Sequence, residues 1–91
     1  MSGWVIGVMV ESKDEPAPVR CYFAVGFEDR AKAEWTAIDG AAGLGNIAYS
    51  PVGGLEPVQA LAPLSPAKMK RLGLASGEVR PLGKVLPRKW L

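Results

Sequence analysis

Val19-Arg-Cys-Tyr-Phe-Ala-Val-Gly-Phe27, followed by Glu28-Asp29 and then Arg30-Ala-Lys-Ala-Glu-Trp-Thr-Ala-Ile-Asp-Gly-Ala-Ala42, is the stretch on which the fold turns. In its first part the apolar residues alternate. Val19, Cys21, Phe23, Val25 and Phe27 fall on one face, and Arg20, Tyr22, Ala24 and Gly26 on the other, the period of a half-buried strand. At Glu28-Asp29 the period changes. The Asp29 carboxylate suits a helix N-cap, where it accepts from free first-turn amides and meets the positive end of the dipole. Ala31, Trp35, Ile38 and Ala42 then recur at spacings of four, three and four, which predicts a helix with that stripe packed on the strands. Gly40 or Gly43 is expected to end it in a left-handed conformation.

Upstream, Trp4-Val-Ile-Gly-Val-Met-Val-Glu11 is a short β-branched apolar run, and residues 12–18 are dense in turn formers. So short a connection predicts an antiparallel hairpin, because parallel strands need a crossover of about a dozen residues or more. Gly7, Ala24 and Gly26 then share a face with little side chain, which the helix is expected to fill. Downstream, residues 47–50 and 58–62 read as short strands around a turn at residues 51–54. Ser65-Pro66 opens a second, shorter helix over residues 66–72, with Gly73 as its stop. Pro81 and Pro87 oppose a helix in the remainder, which reads as extended. The expected fold is α+β: a small two-layer domain, its antiparallel sheet opened by a β-hairpin, one longer and one short helix on one face. The body is expected over residues 1–77 and a basic, proline-containing arm over residues 78–91, the competing reading being that Val79, Leu82, Val85 and Leu86 pack onto the sheet as a last strand.

The composition of the 91-residue chain excludes much chemistry. With no histidine, the Ser-His-Asp triad, the Cys-His pair and histidine metal sites are ruled out. Cys21 is the only cysteine, so no intrachain disulfide or multi-cysteine metal site forms within one chain. No cofactor is expected. The apolar run at residues 4–10 is far too short for a membrane span and lacks the marks of a secretory leader, which predicts a soluble, cytoplasmic protein.

Short motifs have local explanations. Gly43-Leu-Gly45-Asn-Ile-Ala48 has dinucleotide-loop spacing, but it follows a helix where such a loop must open one. Ser65-Pro-Ala-Lys68 has the spacing of a serine–lysine dyad, and N-capping accounts for the serine. Residues 22–31 locally resemble the aromatic strand, Gly-Phe turn and Ala-bearing helix that open SPOR-type glycan-binding domains; the second half of that family's pattern is missing, and no function is carried over from it.

Charge is split along the chain. Residues 1–60 carry four basic and eight acidic residues, whereas residues 61–91 carry seven basic residues and only Glu78. The reading this favours is a non-catalytic interaction protein in which Arg80, Lys84, Arg88, Lys89 and Trp90 meet an anionic partner, either an acidic protein surface or nucleic acid. In the nucleic-acid case Trp90 stacks on a base. The alternative is a small enzyme using carboxylate, lysine or tyrosine acid–base groups. Oligomeric state is not legible.

Overall fold

The computed structural model describes residues 2–11, 14, 16–48, 51 and 53–91. Strands β1 (Gly3–Glu11) and β2 (Val19–Val25) form the expected antiparallel hairpin, with Ile6 opposite Phe23 and Val8 opposite Cys21. Of the connecting turn, Ser12, Lys13 and Glu15 lie outside the described residues. Helix α1 (Arg30–Ala42) follows, then β3 (Asn46–Ile47), β4 (Val58–Leu64), α2 (Pro66–Leu72), β5 (Val79–Gly83) and a 3₁₀ turn, Arg88–Trp90. Within the strand and turn expected at residues 47–54, Tyr49, Ser50 and Val52 are outside the described residues. The result is an α+β domain with a five-stranded antiparallel sheet. β3 and β4 both pair with one side of β1, β2 with the other, and β5 with β2.

Because side chains alternate across a strand, the hairpin feeds two cores. Ile6, Val8, Val10, Cys21, Phe23 and Val25 face α1. Val5 and Ala24 face away from it and are covered by Leu64, Met69, Leu74 and Trp90. Met69 belongs to α2, so the short helix lies on the opposite face from α1 and not beside it. A third, partial layer replaces the expected two-layer arrangement on that side.

The face that α1 buries also differs from the expected one. Ala33, Ala37 and Ala41 are fully buried, whereas Trp35 is 67% exposed and Ala31 and Ala42 are exposed. The strand face beneath is already filled by large side chains, and the alanine ridge lets the helix approach closely. At Gly40 an added Cβ would lie 3.3 Å from Phe23 Cε1, which measures how near the helix backbone comes. Tryptophan in this interface would overpack it.

Both predicted caps are present. Asp29 Oδ1 accepts from Lys32 N at 3.2 Å and Ser65 Oγ from Lys68 N at 3.1 Å. Gly73 ends α2 in the left-handed region at φ 72°, as expected, but Gly43 ends α1 at φ −74° and uses no left-handed freedom. Replacing Asp29 or Ser65 by alanine is expected to cost about 0.5–2 kcal/mol, with asparagine or threonine restoring most of it in urea unfolding. Unchanged midpoints in both alanine variants would contradict the capping assignment.

Candidate functional site

Residues 78–91 enter the fold as strand and plug. Gly26 N–H donates to Glu78 O at 2.8 Å, and β5 continues with Val79 opposite Val25 and Arg80 opposite Ala24. Pro81 then faces Phe23 on an edge strand. Residues alternate in directing backbone groups toward the neighbouring strand, so the N–H that proline lacks would have pointed outward, where no ladder bond is lost. Beyond β5 the chain turns, and Trp90 closes over the second core with 2% exposure.

Arg80 reaches from β5 to the C-terminus of α2. Its Nη1 donates to Leu72 O at 2.9 Å and its Nη2 to Gly73 O at 2.7 Å, meeting carbonyls that a helix end leaves unpaired. Nη2 and Nε also donate to Glu78 Oε2, at 2.7 and 3.1 Å. The other oxygen of Glu78 accepts from Ala75 N at 2.9 Å. That backbone bond, followed by the bond from Arg80, holds the Glu78 carboxyl below its ordinary pKa. The guanidinium carbon sits 5.9 Å from the Trp90 ring centroid, within cation–π range.

Of the five residues singled out in the sequence, Arg80 and Trp90 are thus packed into the fold, and Lys84, Arg88 and Lys89 are exposed. Helix α2 adds what sequence reading left out of the site. Lys70 and Arg71 are exposed in its last turn, and half-buried Lys68 donates from Nζ to Leu91 O. This bond ties α2 to the end of the chain, so two basic segments far apart in sequence share one end of the molecule. Two apolar side chains stand out among these cations, Val85 at 81% exposure and Leu91 at 60%. The signal available from the sequence was the run Lys68, Lys70, Arg71, whose last two members also complement the dipole at the end of α2.

The remaining chemistry-bearing groups considered in the sequence are held in the fold, although Arg20 Nε is buried without a hydrogen-bond partner among the described residues. Cys21 is buried, and desolvation raises its thiol pKa, with Lys84 acting weakly in the opposite direction. The small-residue face at Gly7 is not filled by α1. Arg20 lies over it instead, with Nε where a Gly7 Cβ would come within 2.6 Å and Nη2 donating to Gln59 Oε1 at 2.7 Å. Asp29 and Ser65 are engaged as caps. No helix among the described residues is long and apolar enough to cross a membrane. Comparison with protein-family models, with curated proteins and with solved structures finds no match.

Proposed function

We propose that the protein is a non-catalytic interaction module that docks an acidic, partly apolar protein surface against the end formed by α2 and the C-terminal turn. The observation carrying this reading is the Lys68–Leu91 bond, which joins the cations of α2 to Arg88 and Lys89. Among the exposed charges of this end, cations dominate, since Glu78 is the only acidic residue after position 60 and is paired with Arg80. Complementary charge steers encounter and selects partners more than it supplies affinity. Exposed Val85 and Leu91 supply the apolar contact that affinity requires.

A protein partner is favoured over nucleic acid by the placement of Trp90. The ring that would stack on a base is buried, so the described residues of this end offer no exposed aromatic platform of the kind on which sequence-tolerant single-strand binding depends.

Titration of the protein with an acidic amphipathic peptide, and with a single-stranded oligonucleotide of equal charge, tests the reading. The peptide is expected to bind, more weakly as salt rises. Reversing two exposed charges with Arg88→Glu and Lys89→Glu should weaken binding about tenfold, or about 1.4 kcal/mol. Preference for the oligonucleotide, or indifference to the charge reversal, would contradict it.

A further inference from the structure

Strand β4 is an edge. It pairs with β1, and among the described residues no strand pairs its other side. Met9 N–H donates to Pro57 O, which fixes the alternation of its backbone groups. Gln59, opposite Gly7, faces β1, so Val58 and Ala60 present their N–H and C=O outward. The strand reads Val-Gln-Ala-Leu-Ala-Pro-Leu, without a charge. Exposed edges are ordinarily blunted by charge or proline. Here the irregularity that leaves Leu61 unpaired and the proline at position 63 both come past the outward-facing pair.

A second feature borders the same edge. From the stripe Ala31, Trp35, Ile38 and Ala42, displaced from the core by the alanine ridge, the first three line a shallow depression of about 260 Å³ together with Glu34 and Val58. Val58 places this depression on the β4 flank of α1. The stripe's spacing of four, three and four reads the same in both directions. An antiparallel copy therefore sets Ala31 against Ala42 and Trp35 against Ile38.

From these two features we infer that the protein forms a two-fold symmetric homodimer, β4 pairing antiparallel with β4 of a second copy and the Trp35 stripes meeting above the seam. A two-fold axis perpendicular to the sheet keeps both α1 helices on one side of the joined sheet. One symmetry operation then satisfies both the backbone edge and the apolar stripe, as an isologous interface requires. Three strand spacings separate the two β1 strands, about 14 Å, against about 8–10 Å for directly packed helices. The α1 helices lie chiefly over β1, so a gap remains between them, and a large side chain is needed to fill it. Trp35, with most of its ring surface exposed, has that size. Charge does not oppose the contact, since Glu34 at the depression is paired with Arg30 at 3.9 Å.

Sedimentation equilibrium on the full chain from micromolar to millimolar concentration, with amide exchange on Val58 and Ala60, tests the dimer. The expected mass rises to twice that of the chain, and both outward-facing amides exchange slowly in the dimer. Trp35→Glu, at an exposed position, and Ala60→Pro, which removes one outward N–H, should each weaken dimerisation about tenfold or more. A chain that stays monomeric throughout overturns the inference, as does a dimer that survives both substitutions. So does a monomer whose β4 amides become protected only when a foreign strand-forming peptide is added.

Discussion

Phe23→Ala is expected to remove a large share of the stability of the fold. Phe23 is 1% exposed, lies opposite Ile6 in the hairpin, and has the backbone of α1 at Gly40 directly over its ring. Truncating such a ring costs about 3–5 kcal/mol, the sum of lost burial and of a cavity that the tightly packed alanine ridge cannot close. A domain of this length holds only about 5–14 kcal/mol in all. Urea unfolding followed by circular dichroism should show a sharply lowered midpoint, or no folded baseline. A midpoint close to that of the unaltered protein would mean that the ring does not face α1.

Deletion of residues 78–91 is expected to unfold the protein. It removes β5 from the edge of β2, the Arg80 hydrogen bonds from the end of α2, and Trp90 from over Val5, Ala24, Leu64, Met69 and Leu74. Losing the tryptophan alone is worth about 3–5 kcal/mol by the measure used for Phe23. Nuclear magnetic resonance of the truncated chain should show the narrow amide dispersion of an unfolded polypeptide. A free arm leads to the opposite result, a truncated body with its dispersion intact.

The parts of this fold legible in the sequence are those decided by local rules. The hairpin follows from strict alternation at residues 19–25 and a connection too short for anything else. Asp29 and Ser65 cap because an N-cap needs only its own side chain and the next three amides. The buried side of α1 was not legible, because two stripes share the helix, and the one with the larger side chains is the more exposed. Apolar size is a poor guide where the partner surface is already full. Gly7 alternates with Ile6 and Val8 and so lies on the face away from α1, covered by Arg20.

The C-terminal segment was legible only in part, for a different reason. Its prolines and cations look like those of a loose arm. But Pro81 occupies an edge position that needs no ladder bond, and Arg80 finds its acceptors on a helix end that only the tertiary fold brings near. Of the candidate site, Lys84, Arg88 and Lys89 stay at the surface as read. Lys68, Lys70 and Arg71 join that end through the Lys68–Leu91 contact, a pairing across 23 positions that no local pattern encodes. The position of α2 on the second face depends likewise on long-range burial of Met69 with Trp90.

The placement of both binding-surface segments rests on residues 78–91 being built into the sheet, and native-state hydrogen exchange at the Arg80 amide tests this most directly. Arg80 lies opposite Ala24 in the ladder, two residues beyond the Gly26–Glu78 bond. Its amide is expected to exchange only as slowly as the Phe23 and Val25 amides of the hairpin, through global opening. Exchange at the rate of an unstructured peptide, with the hairpin amides still protected, would contradict the account.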